Sequence, residues 1–183
     1  MKTSDFDLSR YLPYLLNRAG VRIALAFSIE IKRFGITLPM WRVLAQLWHD
    51  EFQRQNDIAE RTSIEPATLS RLLKSIEAEG LIVRTRSNAN AREVGVALTE
   101  KGRALTKRII PLALRYEALA IGTIAPGKIE LVKDVLIEIY ENIASYHDLL
   151  LGKTGAVTAP PAHNGKRRLA QRSAAETSKR HRA

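Results

Sequence analysis

Arg84, Arg86 and Arg92 stand close together in the stretch RTRSNANAREVGVALTEKG, residues 84–102. Guanidinium groups gathered on a polar segment suit one kind of chemistry above others, the charge-assisted and often bidentate binding of phosphates and base edges. A second set lies upstream in PATLSRLLKSIEAEG, where Ala67, Thr68, Ser70, Arg71, Lys74 and Ser75 occur together. Arg and Lys reach guanine edges or phosphates, Ser and Thr bond either, and a small Ala67 allows close approach to a thymine methyl. Other chemistries find little support. The chain contains no cysteine, which removes disulfides, thiolate metal ligands, iron-sulfur clusters, cysteine nucleophiles and thiol redox sensing. Its four histidines, His49, His147, His163 and His181, lack metal-ligand spacing, and no nucleophile or phosphate-loop motif is present. No enzyme activity and no cofactor are therefore expected. A metal site would require Asp, Glu and His from different elements to converge in the fold.

The elements that must position these residues can be read from pattern. Leu81, Ile82 and Val83 before the arginines, and Val94, Val96 and Leu98 after them, are strand formers separated by small and turn-prone residues, which predicts a β-hairpin with the arginines near its tip. Such a hairpin could equally be a plain solvated surface feature. RQNDIAERTSIEPATLSRLLKSIEAEGLI reads as a short helix, a tight turn and a second helix. Asn56 or a neighbour would cap the first helix, with Ile58 and Ala59 buried. In the second, Pro66 fits the first helical position, Ile64 can pack on Leu69 as a hydrophobic staple, and Gly80 ends the run. At about 100° per residue, Leu69, Leu72, Leu73 and Ile76 share one stripe and leave Ala67, Thr68, Arg71, Lys74 and Ser75 on the other side. This is the geometry of a helix that enters a major groove.

Long amphipathic segments flank that region. Residues 8–34 place Leu12, Leu15, Leu16, Ala19, Ile23, Phe27 and Ile31 at helical spacing, and MWRVLAQLW follows Pro39 with Trp41, Leu44 and Trp48 on successive turns. Thr99 is a natural cap for a helix that Pro111 should bend. Pro126 and Gly127 interrupt the pattern before a last helix from about residue 128 to 151, with Val132, Val135, Leu136, Ile139, Ile143, Tyr146 and Leu150 along one side. So much apolar helix face predicts a homodimer, against the alternative that the three long helices pack within one chain.

Composition bounds the partners. With 183 residues and 45% apolar content the chain can bury one real core. No apolar run reaches the roughly 18 residues of a membrane span, and the N-terminus lacks a signal pattern, so no membrane association and a cytoplasmic location are expected. The net charge is +10, and residues 152–183 hold eight basic residues against Glu176 alone, a net +7 that leaves +3 for the body. That segment has too few large apolar residues to fold alone. It reads as a basic disordered tail, either a solubilising extension or a phosphate-binding arm.

The order of elements, helices, then DIAERTSIEPATLSRLLKSIEAEGLI, then AREVGVALTEKG inside a long helical frame, resembles the MarR family of transcriptional regulators from about Tyr11 to Leu150. The resemblance implies a mainly α (α+β) fold: a winged helix-turn-helix DNA-binding part, about residues 37–99, in a dimerisation frame of helices at about 8–34, 100–122 and 128–151. Together these would form one domain over residues 1–151. On that reading Arg92 enters a minor groove, Arg84 and Arg86 touch phosphates, and Asn90 sits beside them at the wing tip. The family usually has Asp at the position of Asn90, a turn Gly at Ser63, and Ser or another good cap at Glu65, so this chain departs from pattern at three points. The resemblance further implies a homodimeric repressor released from a pseudo-palindromic operator by a small effector. Tyr11, Tyr14, Arg18, Trp41 and His49 are the candidate ligand residues, because aromatic walls with a cation suit an aromatic acid or phenol. Packing in the core is the competing reading of Trp41 and Trp48. An architectural, weakly specific DNA-binding protein is the alternative that the basic tail supports.

Overall fold

The computed structural model describes residues 6–86 and 94–150. It is mainly helical with one small sheet: α1 Leu12–Ile31, α2 Leu38–His49, α3 Gln55–Thr62, α4 Pro66–Ala78, β1 Ile82–Arg86, β2 Val94–Leu98, α5 Glu100–Ile121 and α6 Pro126–Leu150. The chain divides into two units, the first ending at Ile124 and the second beginning at Ala125.

Proline and capping chemistry set most of the helix starts. The predicted first helix, residues 8–34, is a helical core flanked by short 3-10 turns at Leu8–Arg10 and Lys32–Phe34. Pro13 stands in the first turn of α1, where its missing N–H costs no internal bond, and α1 begins at Leu12. Thr37 caps α2 through its hydroxyl, with Pro39 again in the first turn. Thr99 caps α5 as expected, and α5 runs on through Pro111 to Ile121. The last helix starts two residues earlier than its pattern predicts: Pro126 and Gly127 form its first turn instead of the break before it.

The core lies within the first unit. Phe27 and Ile31 of α1 meet Met40, Val43, Leu44 and Leu47 of α2, Ile58 and Ala59 of α3, Leu69, Leu73 and Ile76 of α4, Ile109 of α5, and Leu81, Ile82 and Val96 around the sheet. Strands β1 and β2 pair antiparallel, with Ile82 opposite Leu98, Arg84 opposite Val96 and Arg86 opposite Val94. Leu81, expected to open the first strand, instead forms the turn before it. A single residue, Gln53, adds a third rung by exchanging backbone hydrogen bonds with Val96 at 3.1 and 2.8 Å. Its buried side chain donates to the carbonyls of Gln46 and Asp50 and accepts from the Gln46 amide.

Apolar residues outside the core are numerous. Leu15, Val21, Ile23, Leu25 and Ile29 of α1 and Leu114 and Leu119 of α5 are exposed. In the second unit, Leu131, Val132, Val135, Leu136, Tyr140, Ile143 and Tyr146 of α6 are exposed as well. Among the described residues, no single helix is long and apolar enough to cross a membrane.

Candidate nucleic-acid interface

Helix α3 begins at Gln55, with Arg54 rather than Asn56 at its cap and no side-chain cap bond. The Gln53 rung fixes the chain direction just before it, so the helix starts where the sheet releases the backbone. Ser63 ends α3 in the left-handed region at φ 52°, the only positive-φ residue other than glycine among those described. Its N–H reaches the Glu60 carbonyl at 3.2 Å and the Ile64 N–H reaches Ala59 at 3.1 Å, the bond pair with which a glycine usually closes a helix. Serine at the turn is strained relative to glycine, yet the turn is made.

Glu65 then caps α4. Its two carboxylate oxygens accept from the backbone N–H groups of Ala67 at 2.9 Å and Thr68 at 2.8 Å. These bonds, first to Ala67 and then to Thr68, hold the carboxyl below the usual glutamate range, with the Thr68 hydroxyl and the Arg71 charge adding to them against slight desolvation. The unusual cap residue therefore works, because a longer side chain folds back over two free donors. At the other end Gly80, φ 69°, closes α4 with the same pair of bonds, Gly80 to Glu77 at 2.8 Å and Leu81 to Ile76 at 3.1 Å.

The turn into α5 grips that end. The Thr99 hydroxyl donates to the Gly80 carbonyl at 2.7 Å and accepts from Gly102 at 3.0 Å, the Thr99 N–H donates to Leu81 at 3.1 Å, and Lys101 Nζ donates to the Glu79 carbonyl at 2.7 Å. Gly102 lies so near the Leu81 carbonyl that a Cβ there would overlap it. So α4 is fixed to α5 by hydrogen bonds and by close backbone approach.

With its ends held, α4 presents two different faces. Leu69, Leu73 and Ile76 are fully buried, while Ala67, Thr68, Arg71, Lys74 and Ser75 are exposed and Ser70 is half-buried at their edge. Arg84, on β1, is tied to the last turn of α4 by a 3.1 Å ion pair from its Nε to Glu77. Glu77 is thus a strut between helix and wing. Arg86 is placed only by its backbone, opposite Val94. Asn90 and Arg92 lie outside the described residues.

The five candidate ligand residues do not converge within one chain. Trp41 is half-buried and packs edge-on against Phe27 at 5.6 Å, with Tyr116 on the same Phe27 ring at 5.8 Å, so core packing accounts for it. Tyr11 packs on Phe6 instead, and at about 1.5 Å per residue it lies roughly 24 Å along the helix from Phe27. Tyr14 is half-buried and Arg18 exposed on the same stretch of α1. His49 is exposed at the end of α2, its ring 3.2 Å from Asp50, which Arg61 also holds at 2.6 Å. The hydrogen bond from His49, opposed by slight burial and reinforced by Arg61, holds the Asp50 carboxyl below its usual range. None of the five lines an open cleft of about 330 Å³ bounded by Phe34, Glu79, Leu81, Lys101, Ala104, Leu105 and Arg108.

Known proteins share this arrangement. The profile of the MarR family matches residues 36–94, which span α2 to the start of β2. The HTH-type transcriptional regulator TtmR of Methylorubrum extorquens is 30% identical over 157 residues, 86% of this chain and 76% of that protein. Among solved structures, a MarR family transcriptional regulator from Silicibacter pomeroyi superposes with a TM-score of 0.69 at 26% identity, covering 78% of this chain and 97% of that one. BpsR of Bordetella bronchiseptica, whose DNA binding is regulated by 6-hydroxynicotinic acid, superposes with a TM-score of 0.66 at 25% identity over 74% of this chain and 96% of that one.

Proposed function

Because the chain belongs to the MarR family of transcriptional regulators, DNA-binding proteins and not enzymes, we propose that it is a homodimeric repressor that leaves a pseudo-palindromic operator when a small effector binds. The observation that carries this reading is the two-faced helix α4, whose buried Leu69, Leu73 and Ile76 fix the outward aim of Ala67, Thr68, Ser70, Arg71 and Lys74. In a major groove these residues would read bases, while the hairpin carrying Arg84, Arg86, Asn90 and Arg92 would lie along the backbone and reach a minor groove. Two copies would place their helices about one turn of DNA apart.

The exposed apolar residues of α1, α5 and α6 supply the surface that a second copy would cover, and they support the grouping of those helices as a dimerisation frame. For the effector, an aromatic acid or phenol is favoured by the aromatic residues of α1 and α2 and by the hydroxynicotinic acid that regulates BpsR. A pocket using Tyr11, Tyr14, Arg18, Trp41 and His49 together would need α1 of one subunit against α2 of the other. An effector acts only through its different affinity for the two shapes of the dimer. The protein would work in the cytoplasm.

Selection of binding sites from random duplexes, followed by titration of the winner against scrambled DNA at near-physiological salt, tests the reading. A roughly palindromic site bound on the order of 10³-fold more tightly is expected. Uniform binding to every duplex would make the protein architectural and sink the repressor.

A further inference from the structure

Glu65 is unexpected on a helix meant for DNA, since a carboxylate repels phosphates. We propose that Glu65 reads a base: its carboxylate accepts a hydrogen bond from the exocyclic amino group of a cytosine in the major groove. This rests on the reading of α4 as the recognition helix.

Two observations and one general rule carry it. The carboxylate is fixed, since each oxygen already accepts one backbone N–H, from Ala67 at 2.9 Å and Thr68 at 2.8 Å, and with the Thr68 hydroxyl also bonded one lone pair of the group is left for a further donor. It lies at the end of the reading face, because it also meets the Thr68 hydroxyl and the field of Arg71, both exposed on that face. The first residues of a recognition helix are the ones that meet base edges. The same bonds keep the group ionised, so it is an acceptor only.

That chemistry narrows the partner. Phosphates are themselves acceptors and anionic, so the backbone offers Glu65 nothing. In the major groove the amino donors are N4 of cytosine and N6 of adenine, but adenine sets its N7 acceptor beside the amino group and would repel the second oxygen. Cytosine N4 is left. The capped N–H groups are unavailable to a phosphate, so this end of α4 gives up the anion attraction of a helix N-terminus. Glu65 then weakens binding wherever cytosine is absent, and its contribution is discrimination rather than affinity.

The test is site selection from random duplexes with the full chain and with Glu65→Ser and Glu65→Gln. Serine still caps the helix but is too short to reach a base. The wild-type protein should demand cytosine at one base pair in each half-site. E65S should lose roughly tenfold discrimination there and keep every other preference, while E65Q should move that base pair toward adenine, which an amide reads through N6 and N7. Unchanged preferences in both variants, with affinity shifted equally on all sequences, would reduce Glu65 to a cap and a charge. A wild-type protein that selects no sequence would overturn both this inference and the repressor beneath it.

Discussion

The Thr99 hydroxyl donates to the Gly80 carbonyl across 2.7 Å while accepting the Gly102 N–H at 3.0 Å, so one side chain both caps α5 and fastens the end of α4. Thr99→Ala should therefore cost about 1–2 kcal/mol, a lost cap together with an unpaired carbonyl. Thr99→Ser keeps the hydroxyl and should stay close to wild type. Urea denaturation of the three proteins measures this, and equal midpoints for alanine and serine would show that the bond contributes nothing.

Gly102 and Gly95 invite a comparison. A Cβ on Gly102 would overlap the backbone carbonyl of Leu81, whereas one on Gly95 would press on the Phe52 ring. A backbone group in a packed turn has nowhere to go, but a half-buried ring can rotate away. Gly102→Ala should cost about 1–3 kcal/mol, in the range of overpacking, and Gly95→Ala less. The reverse order of thermal stabilities would contradict the close approach of α5 to the α4–β1 turn.

Arg71 stands exposed in the middle of the outward face. If it meets a base edge, Arg71→Ala should cost about 1–3 kcal/mol on the selected site and much less on random DNA. An equal loss on both duplexes would reassign it to a phosphate.

Two carboxylates couple stability to acid. Hydrogen bonds hold Glu65 and Asp50 below their ordinary values of 4.5 and 3.8, so the unfolded chain takes up their protons at higher pH than the folded one does. Their stabilisation is complete above the ordinary values and is lost as the pH falls through the lower, folded ones. Glu65→Gln should then lose less stability than wild type between about pH 6 and pH 3, as read from urea midpoints. Parallel curves for the two proteins would refute the coupling.

The basic segment can be tested by removal. Without residues 152–183 the chain loses a net +7, and if that segment is a phosphate-binding arm, specific and non-specific affinity should both fall and the salt dependence should flatten. An unchanged slope would make it a passive extension.

Much of this was legible in the sequence because residues with restricted backbones punctuate it. Pro66 and Gly80 bound α4 where they should, and Thr99 starts α5. Where a side chain's partner comes from another element, the sequence was silent. Asn56 is the better cap by type, but a rung between Gln53 and Val96 sets where α3 begins. Glu77 looks solvated until β1 brings Arg84 beside it. Chemical type groups Tyr11 with Trp41 as aromatic, but carries no information about the length of α1 that lies between Tyr11 and the Phe27 ring on which Trp41 packs. Glu65 looks a poor cap by type, yet its long side chain folds back on its own helix, which residue preferences average away.

Helix α4 is finished at both ends by its own chain, with Glu65 over its first turn and Thr99 and Lys101 over its last. Both its first and its last turn are closed by side chains that belong to neighbouring turns of the same chain. Whatever displaces the start of α5 must carry α4 with it as one stiff lever, so the message would be written in position and not in order. In the dimer proposed above, two levers swung apart would miss neighbouring grooves with every hydrogen bond inside them intact.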